Sequence, residues 1–166
     1  VETKTVPALY YSAQLMVVWA DSNQFARELG RADTTAEVSQ AADAILANRA
    51  RLRELLKSYE RTVDSETDRR NHAAASQLIE QFAAAEDAIL AAGKQAAAKG
   101  EAFDQSAVVK RDLEPLGVKV RSTLRGMVDF NKAEADESTR QIVTIVRSAE
   151  LCLIICVAIA GVLAVL

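Results

Sequence analysis

The sequence predicts an all-α fold, an antiparallel up-down-up-down four-helix bundle whose fourth helix continues into a transmembrane helix. Three observations predict it. Apolar residues recur at helical spacing through residues 1–150, and no segment alternates apolar and polar residues as a half-buried strand does. Start and stop signals divide this region into four segments joined by short turns. Residues 151–166 carry no charged side chain.

The first two helices are expected over about residues 1–29 and 35–63. Gly30 should end the first helix, because glycine suits the left-handed backbone position that follows many helices. Thr34 and Glu37 have the spacing of a capping box, in which each side chain pairs with the other residue's amide. The second helix should therefore begin directly after Thr34.

The second helix carries a heptad pattern, and Asn48 lies in its seam. A polar residue in such a seam sets the register of the helices or contacts a ligand, and we favour the register role. The lone histidine, His72, is expected at the surface or at a boundary. Several arginines are expected on the outer face, where pairing along the helix accounts for them: Arg49, Arg51, Arg53, Arg69 and Arg70.

The third and fourth helices are expected over about residues 66–99 and 105–150. Asp64 or Ser65 can cap the third helix. Pro115 lies inside the fourth segment, and proline lacks the N–H that a helix interior requires. The sequence leaves open whether Pro115 kinks the fourth helix or marks its start.

The uncharged segment 151–166 is expected to be the start of a second transmembrane helix. A membrane span needs roughly 20 apolar residues, and this segment supplies sixteen before the sequence stops. A buried core helix is the competing interpretation, but the segment has no polar side that would face solvent. We expect the chain to be a fragment of a longer protein, with a first transmembrane helix before Val1.

Composition excludes several function classes. The net charge of -3 and the pI near 5.3 argue against a nucleic-acid partner. Cys152 and Cys156 both lie in the uncharged segment, without disulfide or zinc spacing. The sequence contains no nucleophile–base pair, phosphate-binding loop or metal-ligand cluster. We therefore expect no enzymatic activity, no cofactor and no metal.

Several segments carry a resemblance to a known family: TVPALYYSAQL, NRARLRELLKSYE, RDLEPLGVKV, MVDFNKAEADES and RSAEL. With the predicted architecture, they resemble the four-helix-bundle sensor region of bacterial methyl-accepting chemotaxis receptors. The resemblance covers essentially the whole chain. It implies a homodimer in the bacterial inner membrane, with residues 1–150 in the periplasm as the sensor domain. It also implies a small-molecule ligand near the membrane-distal tip and signalling through the fourth helix.

Carried over by position, the resemblance implies that Arg27 holds a ligand carboxylate, with Asn23 where the family has a second arginine. At the start of the fourth helix it implies contacts from Phe103, Gln105 and Ser106. Independently of the family, Asn23 and Arg27 are four residues apart and share a helix face. The planar guanidinium of Arg27 suits a carboxylate, so the expected ligand is a small organic acid.

Trp19, one turn before Asn23, is a candidate wall for the same site. The alternative roles are a solvated surface charge for Arg27 and a core or dimer-interface position for Trp19. Two other functions remain open for the whole chain. The bundle can be the sensor of a histidine kinase or nucleotide cyclase, or a membrane-anchored structural coiled coil without a small ligand.

Overall fold

The computed structural model describes residues 4–32, 34–99 and 103–165, without the side chains of Thr35, Ala97 and residues 157–165. This part of the chain is helical and contains no strand. It forms four helices. The bounds are Thr5–Leu29 for α1, Thr35–Glu60 for α2, Glu66–Lys99 for α3, and for α4 the consecutive pieces Gln105–Val108, a π-helical turn Val109–Leu113, and Glu114–Val165.

The helix starts follow from local side-chain caps. The predicted capping box of α2 is confirmed: Thr34 Oγ1 accepts from the Glu37 amide at 3.2 Å, and Glu37 Oε2 accepts from the Thr34 amide at 3.0 Å. Ser65 Oγ caps α3 by accepting from the Asp68 amide at 3.1 Å. Asp104 caps α4 through the Ala107 amide. Each cap pairs an amide that the first helical turn leaves without a partner.

The predicted conformation of Gly30 is wrong. Gly30 has a right-handed backbone, with φ of -66°. Its amide donates to the Ala26 carbonyl at 3.1 Å, and the Arg31 amide donates to the Glu28 carbonyl at 3.0 Å. The chain therefore leaves α1 through a right-handed turn, which pairs the end of the helix without a glycine-specific conformation.

The π-helical turn directly before Pro115 resolves the question that this proline raised. The Glu114 amide donates to the Val109 carbonyl, five residues earlier, and the next residue, Pro115, has no amide proton to donate. The fourth helix begins at Gln105, well before Pro115. Because the wider turn changes the spacing of the carbonyls ahead of the proline, the helix continues through Pro115 without stopping.

The core is an apolar column to which all four helices contribute. Trp19 and Leu15 come from α1, Tyr59 from α2, Ile79 from α3 and Leu124 from α4, and each is 2% exposed or less. Burial of these side chains is the main source of stability for such a bundle. The core also contains Ile45, Leu52 and Tyr59, which recur at intervals of seven along α2 and belong to its predicted heptad pattern.

The C-terminal part of α4 extends past the packed region. Every side chain from Thr139 to Cys156 is exposed, including the apolar Ile142, Ile145 and Ile154. None of the described helices is both long enough and apolar enough to span a membrane. Residues 157–166 of the predicted transmembrane segment lie outside the residues whose side chains are described.

Candidate ligand-binding cleft

A cleft of about 160 Å³ lies between α1 and α4, beside the π-helical turn. On α1 its lining residues fall within one and a half turns. On α4 they lie in the π-helical turn itself and in the two helical turns after it. Helical spacing explains the set, because residues three, four and seven apart share a face. The lining residues are Asn23, Ala26, Arg27, Val109, Leu113, Glu114, Gly117, Val118 and Arg121.

Gly117 allows α1 and α4 to approach closely at the cleft. A Cβ atom added to Gly117 would lie 3.0 Å from Asn23 Oδ1 and 3.8 Å from the ring of Trp19. A larger residue would therefore push the Asn23 side chain away from the position it now occupies. The absence of a side chain in Gly117 thus allows the Asn23 amide to lie in the cleft lining.

The cleft has an excess of positive charge. Arg27 and Arg121 contribute two guanidinium groups, and Glu114 contributes one carboxylate. All three residues are exposed, and none of their side chains forms a hydrogen bond or ion pair with another residue in the described part of the chain. Their polar groups are therefore free to bind a solute. Two guanidinium forks beside the Asn23 amide are suited to a small carboxylate.

Trp19 lies behind the cleft and not in its lining. Its indole is 1% exposed and packs edge to face on Phe82, with ring centroids 4.7 Å apart. Gly117 of α4 lies between the indole and the cleft, and a Cβ atom added there would be 3.8 Å from the indole ring. The core role that the sequence left open for Trp19 is therefore the one that the fold provides.

The structure does not bring Phe103, Gln105 and Ser106 into this cleft. A Cβ atom added to Gly93 of α3 would lie 3.5 Å from the ring of Phe103, and Phe103 lines a separate groove of about 410 Å³ between α3 and the start of α4. Gln105 is partly buried and Ser106 is exposed, and neither lines the cleft. The reason is that they lie at or just before the start of α4 and precede Val109, the first residue of α4 in the cleft lining.

Glu114, Gly117 and Arg121 are among the lining residues that were not predicted from the sequence. Their spacing of three and four residues places them on one face of α4 and was readable from the sequence. The π-helical turn was not readable, and it determines which face of α4 meets α1.

Arg49 corrects the assignment of arginines to the outer face. It is 8% exposed and lies between α2 and α3. Its Nη2 donates to Glu86 Oε2 at 3.0 Å and to the Ala83 carbonyl at 3.1 Å, while Nη1 donates to both Asp87 oxygens at 3.0 Å. Burial raises the pKa of Glu86 to about 7, against the opposing effect of the Arg49 hydrogen bond.

Two more groups of polar contacts cross the core. Asn48 donates to the Val18 carbonyl at 3.0 Å and to Ser22 Oγ at 2.6 Å, which joins α2 to α1 as expected for a polar seam residue. Tyr59 donates to Asp68, and Asn131 donates to the Tyr59 hydroxyl at 2.8 Å. This second group links α2, α3 and α4. Burial raises the pKa of Asp68 and that of Tyr59.

The described residues hold no cluster of three side chains that could ligate a metal ion. No family model, curated protein sequence or solved structure matches the chain. The chemistry of the cleft between α1 and α4 is therefore the basis for inferring function.

Proposed function

We propose that the chain is the ligand-sensing domain of a transmembrane chemotaxis receptor that binds a small organic acid near its membrane-distal tip. The observation that carries the proposal is the cleft between α1 and α4, with two unpaired arginines and an asparagine amide. The sequence resemblance adds the receptor family, the bacterial inner membrane and a periplasmic location for residues 1–150. The proposed ligand is a solute, and no catalysis is part of the proposal.

The cleft chemistry favours a carboxylate. Arg27 and Arg121 can each donate a charge-assisted hydrogen bond, and the Asn23 amide can add a neutral one. Glu114 would repel a second negative charge placed beside it and would attract an ammonium group. A space of about 160 Å³ admits only a small molecule. We therefore infer a compact monocarboxylate or an acid that also carries a cationic group.

The residues that line the cleft support the proposed signalling through α4. The π-helical turn itself contributes Val109 and Leu113 to the lining. Turns of this kind occur frequently at functional sites, because they change the register of a helix locally. A ligand that contacts both helices can favour one α1–α4 packing by its differential affinity. A shift of about 1–2 Å is the scale of such helix movements.

The antiparallel order and the continuation of α4 into a membrane belong to the same proposal. The turn between α1 and α2 is short, which suits antiparallel neighbours. Two ion pairs support the same order for α2 and α3, because the later residue of α2 pairs with the earlier residue of α3: Arg49 with Glu86, and Arg53 with Glu80. The exposed apolar residues toward the end of α4 support a hydrophobic environment there. In this arrangement the cleft is remote from the end of α4.

Membrane insertion can be tested with the two native cysteines, Cys152 and Cys156. In intact cells that express the full-length protein, a membrane-impermeant maleimide should leave both cysteines unlabelled. It should label an added Ser138→Cys on the outward part of α4, in a background from which the native cysteines are removed. Equal labelling of Cys152, Cys156 and Ser138→Cys would contradict the membrane part of the proposal.

A homodimer is the proposed assembly. Val6, Tyr10 and Val17 of α1 are more than half exposed and recur at helical spacing, so they form an apolar stripe on one face. A second copy is the occupant that the resemblance implies. Sedimentation velocity should detect a dimer of the full-length receptor in detergent that Val17→Lys weakens, and a monomer at all concentrations would contradict this assembly.

A thermal-shift screen tests the sensing function. Small mono- and dicarboxylates should include at least one that raises the melting temperature of the native protein, and the same acid should raise that of Arg27→Ala by clearly less. If no carboxylate stabilises the domain, the membrane-anchored structural coiled coil becomes the better account. A histidine kinase or cyclase sensor would give the same positive result, and an output domain attached to the bundle would distinguish it from a chemotaxis receptor.

A further inference from the structure

A second, much smaller cavity lies inside the bundle, behind the ligand cleft. It measures about 10 Å³ and is bounded by side chains of α1, α2 and α3. Polar and apolar groups both contribute to its wall. The lining residues are Trp19, Ser22, Ile45, Arg49, Leu52, Ile79, Phe82, Ala83 and Glu86.

Two residues of this lining each have a buried hydrogen-bond donor without an acceptor among the described residues: Trp19 at its indole Nε1 and Arg49 at Nε. Both residues are more than nine-tenths buried, at 1% and 8% exposure. Arg49 uses Nη1 and Nη2 for Asp87, Glu86 and the Ala83 carbonyl, which leaves its Nε–H over. Buried N–H groups are paired in nearly all proteins, directly or through ordered water.

Acceptors are present in the same wall. Ser22 Oγ accepts one hydrogen bond from Asn48 and has a further lone pair. Glu86 is 4% exposed, and its Oε2 is bound by Arg49. A molecule that accepts two hydrogen bonds and donates two therefore fits the four polar groups of Trp19, Arg49, Ser22 and Glu86.

We propose that this cavity binds one structural water molecule, which accepts from Trp19 Nε1 and Arg49 Nε and donates to Ser22 and Glu86. A volume of about 10 Å³ corresponds to the smallest space that holds a water, and it excludes larger ligands. The Glu86 carboxylate in the wall disfavours an anion. The water would join α1, α2 and α3 and would fix the indole that underlies Gly117 and the ligand cleft. The site is independent of the proposed sensing function.

High-resolution crystallography of the domain tests the site directly. The expected result is one ordered water within hydrogen-bonding distance of both Trp19 Nε1 and Arg49 Nε. A dry cavity, or a protein acceptor for both N–H groups, would overturn the proposal.

Nuclear magnetic resonance tests the site in solution, because Trp19 is the only tryptophan and gives a single indole signal. The indole proton should show cross-peaks to water of opposite sign in NOE and ROE spectra, which is the signature of a resident water. The Ser22→Ala variant should retain them, since the water keeps three polar partners. Absence of the cross-peaks in the native domain, or their loss in Ser22→Ala, would overturn the proposal, because the latter would assign them to the hydroxyl.

Discussion

Arg49 of α2 donates to the buried Glu86 carboxylate of α3 across 3.0 Å, and the two side chains are only 9% and 5% exposed. One turn further along α2, Arg53 forms a contact of similar type with Glu80 across 2.7 Å, but both of those side chains are about half exposed. The two pairs join the same helices in different surroundings. They therefore provide a matched comparison of buried and exposed ion pairs within one bundle.

Arg49→Ala should be strongly destabilising. Removing one partner of a buried pair leaves the other charge uncompensated and typically costs about 3–5 kcal/mol. Arg53→Ala should cost about 0–1 kcal/mol, because solvent already screens that pair. Urea denaturation of the two variants at pH 8 measures the difference. Equal costs would show that the Arg49–Glu86 contact is not buried in solution.

Glu86 should make stability depend on pH. Its pKa is about 7 in the folded chain against an ordinary value of 4.5, because the effect of burial outweighs that of the hydrogen bond from Arg49. The negative charge of Asp87, the next residue of α3, raises the pKa further. Between these values the folded state holds a proton that the unfolded state releases, so the free energy of unfolding falls as pH rises from 4.5 to 7.

The Glu86→Gln variant isolates this effect from that of Asp68, whose pKa is also raised. Relative to Glu86→Gln, the native domain should lose stability between pH 5 and pH 8. Urea denaturation at the two pH values measures it. A native-minus-variant difference that is constant, or that grows in favour of the native domain with pH, would show that Glu86 titrates near or below its ordinary pKa.

Asn131 should contribute to stability through the buried Tyr59 hydroxyl. Asn131 is 2% exposed, and Asn131→Ala removes an amide donor that lies 2.8 Å from the Tyr59 hydroxyl oxygen. The Tyr59 hydroxyl would still donate to Asp68 but would have no donor for its buried oxygen, and a buried acceptor left without a partner costs about 1–3 kcal/mol. The neighbouring Lys132 is exposed, and Lys132→Ala should change stability by less than about 0.5 kcal/mol. Thermal and urea unfolding of both variants measure the two losses of stability, and equal losses would contradict this account.

Two glycines of α4 should respond oppositely to alanine. Gly126 has open space where a Cβ would lie, so Gly126→Ala should stabilise the helix by about 0.5–1 kcal/mol. At Gly117 the added Cβ would meet Asn23 Oδ1 at 3.0 Å. Gly117→Ala should lose that gain and weaken carboxylate binding, because Asn23 must turn away. Equal stabilisation by both substitutions, with ligand affinity unchanged at Gly117→Ala, would remove Asn23 from the site.

The helix starts were predictable because their causes are local. Thr34 and Ser65 cap from within three residues of the amides they pair, and that spacing is visible in the sequence. α1 and α3 end where the sequence indicated, at Leu29 and Lys99, and α2 ends three residues before the expected residue 63, at Glu60.

The burial of Arg49 and the set of residues that line the cleft were not predictable, because both depend on how distant segments of the chain pack together. Position 49 lies beside the heptad seam, and only the packing of α3 buries it. The π-helical turn adds a residue to one turn of α4 and rotates the face that follows it. The resemblance implied contacts from Phe103, Gln105 and Ser106. In the structure, the residues of α4 that line the cleft with Asn23 and Arg27 include Glu114, Gly117 and Arg121.

Calorimetric titration of the domain with small organic acids tests the central claim most directly. At least one carboxylate should bind, and Arg27→Ala and Arg121→Ala should each weaken its binding about 10- to 100-fold, as expected for one lost charge-assisted hydrogen bond. Arg125→Ala, which lies one turn past Arg121 and outside the cleft lining, should bind with native affinity. Binding that all three variants retain equally, or no binding of any carboxylate by the native domain, would contradict the proposed sensor site.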